Sequence, residues 1–248
     1  MRKILLTLAG LAMFTLPAAA QTADEIIAKY IQAIGGMDKI QAIKTLKRSG
    51  KFIGDGGFEA VVAQENQRPN LVREEFTFQN LTGVNAYDGH TGWKIEPWQG
   101  KKDPEALGEE ELKSIVEDAD FDGPLVDWKK KGNKLEYLGH DDVEGTDTYK
   151  LKVTMPNGTV FTYYIDSEYY VPIKIDTKRT IRGTDREYET VIGDYKKVGG
   201  VYVPFSVETN VKGNTNASKT VYDKIEANAP INDVRFHKPA PKGLEPRP

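Results

Sequence analysis

From Thr45 to Glu226 the chain repeats one pattern: short runs of alternating apolar and polar residues, each ended by Gly, Pro, Asn or Asp. Alternation with a period of two marks strands with one buried face. The period predicts strands at 45–53, 57–67, 71–79, 82–87 and 91–97, then at 134–139, 146–155, 159–165, 173–179, 186–195, 201–211 and 218–226. The turns between them are short, as in Asp88-Gly89-His90, Asn157-Gly158 and Gly199-Gly200, so neighbouring strands must run antiparallel. No Pro/Gly/Ser-rich linker divides the series. The reading is one mainly β domain with some helix (α+β), spanning 21–248. It holds a single antiparallel sheet of about 11–12 strands, and a sheet that wide must curl.

Helical periodicity occurs in two places. In 21–46, Ile26, Ile27, Tyr30, Ile31 and Ile34 recur at helical spacing behind a capping Thr22, and Gly35-Gly36 stops the run. A short second helical turn follows, with Ile40 and Ile43 inward. The other place is the only long interruption in the strand series, an insert over about 99–132. Pro104 can open a short helix there, 109–118 reads as an acidic helix, and Gly123-Pro124 precedes a predicted helix over 125–131. Both helical parts are expected to cover the sheet. The tail, about 229–248, is rich in Pro and is expected to run over the surface.

The first 20 residues have the form of a cleavable export leader. Arg2 and Lys3 precede the apolar run 4–16, and Ala18-Ala19-Ala20 stands before Gln21. No cysteine follows, so neither lipidation nor disulfides are expected, and the predicted compartment is the periplasm. A formal net charge of −3, more negative once Arg2 and Lys3 leave, argues against a nucleic-acid partner.

Motifs for chemistry are few. Asp118-Ala119-Asp120-Phe121-Asp122-Gly123 matches the first half of a calcium loop, but Lys129 stands where a bidentate Glu should close the shell. The run is therefore read as a helix end and a Gly-Pro turn, and neither metal nor cofactor is expected. His90, His140 and His237 are far apart, and His140-Asp141-Asp142 stands where a hairpin should turn. No Gly-x-Ser-x-Gly, nucleophilic cysteine or phosphate loop occurs, so no catalytic residue is assigned. Paired apolar residues two apart do stand out on the strands, because such pairs share a face. Phe76 and Phe78, Trp93 and Ile95, Tyr149 and Leu151, and Val203 and Phe205 are the candidate lining of an apolar cavity. Trp98, Leu112, Ile115, Val116, Leu125 and Trp128 are the candidate lid residues from the insert and its borders.

Several stretches resemble the LolA/LolB-like outer membrane lipoprotein-sorting proteins of Gram-negative bacteria. They are the helical opening 23–36, Tyr87-Asp88-Gly89-x-x-Gly92-Trp93, Asp122-Gly123-Pro124-Leu125-Val126-Asp127, Tyr163-Tyr164-Ile165-Asp166, and Tyr-x-x-x-x-Gly-Val-Tyr-Val-Pro over 195–204. The resemblance implies an incomplete β-barrel whose concave face is covered by helices and holds acyl chains, in a non-enzymatic carrier. It also implies an arginine on an early strand that holds the cover shut; Arg68 and Arg73 both stand near that place. The expected partners are lipid or lipoprotein acyl chains and membrane donor or acceptor proteins, and the expected state is a monomer. Two readings from other classes stay open: a secreted hydrolase with an acid pair or metal, and a packed structural module without a ligand.

Overall fold

A computed structural model describes residues 22–240, apart from Arg182, Thr215 and the Gln99 side chain. The leader 1–20 and the final part of the tail, 241–248, lie outside the described residues. Two helices open the fold, α1 (Ala23–Ile34) and α2 (Met37–Ala42). The first is fixed by a reciprocal cap: the Glu25 N–H donates to Thr22 Oγ1 (3.2 Å), and the Thr22 N–H donates to the Glu25 carboxylate (2.9 Å). Six strands follow: β1 (Thr45–Ile53), β2 (Glu59–Gln67), β3 (Leu71–Phe78), β4 (Leu81–Tyr87), β5 (Gly92–Ile95) and β6 (Glu105–Ala106). After α3 (Glu109–Ala119) come β7 (Lys134–Val143), β8 (Thr146–Thr154), β9 (Val160–Asp166), β10 (Pro172–Ile181), β11 (Thr184–Val198), β12 (Val201–Val211) and β13 (Ala217–Ala227).

All of these strands join one antiparallel sheet of 13, in the order β6-β5-β4-β3-β2-β1-β13-β12-β11-β10-β9-β8-β7. The chain builds one half outward from β1 to the β6 edge, then starts again at the β7 edge and returns to β13. The halves meet where β1 pairs with β13. Register shifts there between Ser49 and Gly50, and a Cβ on Gly50 would stand 2.1 Å from the Val221 carbonyl oxygen. Only glycine allows so close an approach. The edges β6 and β7 do not pair, so the barrel stays incomplete. The link from β6 to β7 holds α3 and the run 120–133, and therefore crosses from one free edge to the other.

Two buried clusters fill most of the concave face. Ile26 and Ile27 of α1 pack on Tyr149, Leu151, Val153, Tyr163 and Ile165. Ile34, Ile40 and Ile43 pack with Val126 on Leu46, Val201, Phe205 and Ile225. Further along, α3 sets Ile115 and Ala119 on Val72 and Tyr87.

The structure departs from the sequence expectations in four places. Residues after Pro104 do not begin a helix; Glu105 and Ala106 pair with Lys94 and Trp93 as an extra edge strand. The run 125–131 is a series of turns rather than a helix, because Asp127 adopts φ 52° and interrupts the helical path. His140, Asp141 and Asp142 lie in β7, not in a turn; a register shift between Tyr137 and His140 carries the strand on to Glu144-Gly145, both with positive φ. Finally, the tail is anchored well beyond Ala229. Phe236 is fully buried and its carbonyl accepts a hydrogen bond from Trp93 Nε1 (2.7 Å), while Arg235 pairs with Glu65 (2.6 Å) and Glu75 (2.9 Å). Glu65, Arg73, Ala86 and Trp93 form one cross-strand row, and Val72 and Tyr87 under α3 belong to the other parity. The tail thus docks on the convex face, behind the strands that α3 covers.

Candidate functional site

Three of the cavities among the described residues lie along the concave face. A central cavity of about 410 Å³ lies between α1, α2, the run 118–126 and the middle of the sheet, bordered by Tyr30, Ile34, Leu46, Arg48, Val203 and Tyr222. One of about 290 Å³ lies beside Trp98, over Val62, Gln64, Phe76, Gly83 and Tyr222. The largest, about 830 Å³, separates α3 from β9 to β12 and is lined mainly by hydroxyls and charges: Ser114, Glu117, Thr177, Arg179, Arg186 and Thr190 among them. Gln64 and Tyr222 border both of the first two cavities, and Glu117 borders the central and the largest. The central cavity thus has one neighbour on each side.

The cavity beside Trp98 takes Phe76 and Trp98 from an aromatic cluster that forms a wall beside it. Phe76 meets Phe52 edge-on at 5.4 Å and Trp98 at 5.9 Å, while Phe58 touches Phe52 and Phe78 at 5.7 and 5.6 Å. Register sets Phe52, Val62, Phe76 and Gly83 on one face. The outer edge of the Trp98 indole packs against Gly83, where a Cβ would stand 2.0 Å from the nearest ring atom. This wall is not a closed core: Trp98 and Phe58 keep 47% and 40% of their surface exposed.

Charge is concentrated where the compartments meet. Arg48 donates to Asn66 Oδ1 (2.8 Å) and to Gln64, Gln64 Nε2 donates to Glu74 (2.8 Å), and Asn66 Nδ2 donates to the Asp118 carbonyl (2.9 Å). Burial, then the nearby Glu74 and Glu117 carboxylates, push the Asp118 carboxyl well above the usual range, against the pull of Arg179 and Arg48. Burial also pushes Glu74 up, against its Gln64 hydrogen bond and Arg48. The Asp118 side chain is exposed to the open cavity, so solvent screening reduces the size of the shift and leaves its upward direction. An acid with a raised folded-state pKa takes up its proton on folding. The stability this adds is full below the unfolded pKa and is lost as pH rises through the folded one. Melting temperatures measured from mildly acidic to alkaline pH are therefore expected to fall for the native chain. They should fall less for Asp118→Asn, which keeps the shape and removes the titration; parallel profiles would contradict this.

The three acids of the calcium-like run diverge. Asp122 takes a bidentate grip from Arg68 (2.6 and 2.8 Å), Asp120 pairs with Lys131 (2.6 Å), and Asp118 faces the cavity. Among the described residues no group of three or more His, Cys, Asp or Glu is placed to hold a metal ion.

Of the residues picked out by the sequence, Phe76 and Phe78 join Trp98 in the aromatic wall. Ile95 reaches the rim of the same cavity, although register puts it with Trp93, Val84 and Ala86 on the opposite face, where Trp93 is sealed by the tail. Leu112 and Ile115 of α3 turn onto the sheet, and Val116 is exposed. Leu125, Trp128, Tyr149 and Leu151 belong to the packed core under α1, and Val203 and Phe205 to the core under α2, with Val203 also bordering the central cavity. Sequence reasoning missed Phe52, Phe58, Tyr222 and the hydroxyl-lined cavity. Their alternation was visible, but which parity faces inward is decided by the direction of curl.

No protein-family model matches the sequence, and no curated protein matches it. Solved structures do match. A LolA superfamily protein from Nitrosomonas europaea aligns with a TM-score of 0.59 at 14% identity, over 88% of this chain and 99% of that one. A DUF1329 family protein from Desulfovibrio piger gives 0.59 at 9% identity, over 86% and 96%. The chain has the LolA-like fold. A domain from Vibrio parahaemolyticus named for outer membrane lipoprotein sorting gives 0.54 at 9% identity, over 81% and 94%.

Within this LolA-like half-barrel the two early arginines part company. Arg73 lies on the convex side, over the Trp93 ring and hydrogen-bonded to the tail at the Arg235 carbonyl (3.0 Å). Arg68 joins the cover: besides Asp122 it donates to the Ile40 (2.9 Å) and Ile43 (2.7 Å) carbonyls at the end of α2. The motif Asp122-Gly123-Pro124-Leu125-Val126-Asp127 has a physical reading here. Asp122 receives Arg68, and the next apolar pair splits, Leu125 into the core under α1 and Val126 into the core under α2.

Proposed function

We propose that the protein is a periplasmic, non-enzymatic carrier that holds an acyl chain, from a lipid or a lipoprotein, in its concavity. The observation that carries this reading is the aromatic cluster of Phe52, Phe58, Phe76, Phe78 and Trp98, of which Phe76 and Trp98 line the cavity and Phe58 and Trp98 stay exposed, so that it does not close a core. Transfer of apolar surface from water is worth about 0.8 kcal/mol per CH₂, so a C14 to C16 chain brings a gross term of roughly 11–13 kcal/mol. The costs of association reduce it. Cavities of about 300–1,000 Å³ are typical of small-ligand sites, and the compartments beside Trp98 and at the centre are of this order at 290 and 410 Å³. The LolA-like fold and the leader-like first 20 residues are consistent with this role, as is a cover held by Arg68 between α2 and the run 120–126.

The polar lining of the largest cavity is the one feature that favours a hydrolase, and the engagement of its acids weighs against it. Glu117 accepts from Asn157 and Thr159 and pairs with Arg179, Glu111 pairs with Lys94, and Glu110 with Lys113. A general acid or base needs a carboxylate with freedom to exchange a proton with a substrate.

Native mass spectrometry after gentle purification, followed by lipid extraction, is the direct test; a bound amphiphile is expected. Gly83→Ala, which displaces Trp98 from its seat, and Trp98→Ala should each weaken binding of a fluorescent fatty acid about tenfold, since losing the apolar contact of about two CH₂ groups with the exposed ring costs on the order of 1.5 kcal/mol. A ligand-free protein that also ignores fluorescent fatty acids would sink the carrier reading.

A further inference from the structure

The largest cavity contains an arrangement that the acyl-chain reading leaves unused. Arg179 on β10 and Arg186 on β11 are direct register partners, and both line the cavity. Like charges directly opposite on neighbouring strands destabilise a sheet, so a pair kept there calls for something that neutralises it. Arg179 is partly answered by Glu117 (3.1 Å) and Ser114 (3.2 Å), but its Nε is buried without a hydrogen-bond partner. Arg186 has no ion pair among the described residues. The acids beside it in sequence are committed to the other face of the sheet, where Asp185 pairs with Lys178 (3.0 Å) and Glu187 with Lys212 (2.9 Å). The acids across the cavity are committed as well: Glu117 to Arg179, Glu110 to Lys113 and Glu111 to Lys94. Around the two guanidinium groups stand Thr177, which is buried, and Thr190, hydrogen-bonded to Thr209 at 3.0 Å.

We propose that this cavity is a subsite for a phosphate group, gripped by Arg179 and Arg186 and surrounded by threonine hydroxyls, and that it takes the headgroup of an anionic amphiphile. The chemistry is the planar donor fork of arginine, which suits phosphate oxygens and which a neutral headgroup cannot use. The assignment of the headgroup rests on the carrier reading, whereas the anion subsite itself does not. The hydroxyl and arginine compartment lies beside α3, and the aromatic compartment lies beyond it near Trp98, so a single amphiphile would present its two ends to different linings.

The test compares three probes, dioctanoyl phosphatidic acid, dioctanoylglycerol and inorganic phosphate, by titration calorimetry on the native chain and on Arg186→Gln. Phosphatidic acid is expected to bind at least about tenfold more tightly than dioctanoylglycerol, and Arg186→Gln should erase that preference, as loss of a charged hydrogen bond implies. Arg186→Gln should also raise the melting temperature of the ligand-free protein, since it removes the like-charge pair; this readout shows that lost binding is not lost folding. Equal, Arg186-independent binding of both lipids overturns the phosphate subsite and leaves the carrier standing. Arg186-dependent binding of inorganic phosphate with no binding of either lipid keeps the subsite, assigns it to free phosphate, and removes the carrier reading and the headgroup with it. No Arg186-dependent binding of any probe overturns the proposal.

Discussion

Phe236→Ala is expected to destabilise the protein by about 3–5 kcal/mol, the usual range for truncating a fully buried phenylalanine. Among the described tail residues Phe236 is the one large side chain with no exposed surface, and it sits on the convex face against a row that includes Trp93. Removing the ring leaves a cavity there. It also loosens the segment that brings the Phe236 carbonyl to Trp93 Nε1 and Arg235 to Glu65 and Glu75. Urea unfolding monitored by tryptophan fluorescence measures the loss directly, because Trp93 reports the site; an unchanged slope with a lower midpoint would mark a pure stability effect. Phe236→Leu should cost much less, and Arg235→Ala only about 1 kcal/mol, since its two ion pairs are partly exposed. A Phe236→Ala midpoint equal to that of the native chain would mean that the tail is an ornament on the sheet. The expected outcome makes it a structural strap behind β2 to β5, the strands whose other face carries α3 and the aromatic wall.

The tail also shows where the sequence stops being legible. Strand positions were readable because alternation is local: β1 and β12 match their predicted limits residue for residue, and α3 is one residue longer than predicted. The wide antiparallel sheet followed from the turns, and the incomplete barrel from the motifs. What could not be read is which parity of each strand faces inward. Trp93 and Phe76 look equivalent in sequence, as aromatics in alternating strands, yet register sends Phe76 to the cavity and Trp93 to the tail. Likewise Thr177-Lys178-Arg179-Thr180 is polar at every position, so nothing local says that Arg179 is the one lined up against Arg186 across the ladder. The expected apolar interior is therefore only partly right. The helices consume the apolar positions as packed core, and the open space is left to an aromatic wall on one side and to hydroxyls and arginines on the other. The turn at Asp127 was missed because its left-handed backbone, at φ 52°, follows from no local sequence pattern.

Arg68→Met should have the second large effect, a loss of about 2–4 kcal/mol. Removing one member of a buried pair costs on the order of 3–5 kcal/mol, and the estimate is lowered because the Arg68 side chain keeps 25% of its surface exposed, against 12% for Asp122. This guanidinium donates four hydrogen bonds, two to the Asp122 carboxylate and two to the carbonyls of Ile40 and Ile43. Its other face lies over the Phe121 ring at 4.7 Å. Methionine preserves the stem and part of the ring contact but leaves Asp122 and both carbonyls without their donor. Lysine restores a charge but not the planar fork, so Arg68→Lys should recover only part of the loss. If Arg68 and Asp122 act as a unit, Asp122→Leu in the Arg68→Met background should cost much less than Asp122→Leu alone, and the cycle would give a coupling of about 1–3 kcal/mol. Additive losses would instead assign the stability to the carbonyl contacts and the ring. The same variants test the cover. Arg68 ties α2 to the run between α3 and the core, and those elements border the central cavity. Releasing the tie should speed the dissociation of a bound fluorescent fatty acid in stopped-flow measurements more than it changes the association rate. Unchanged dissociation despite lost stability would make Arg68 a brace of the fold with no part in holding the ligand.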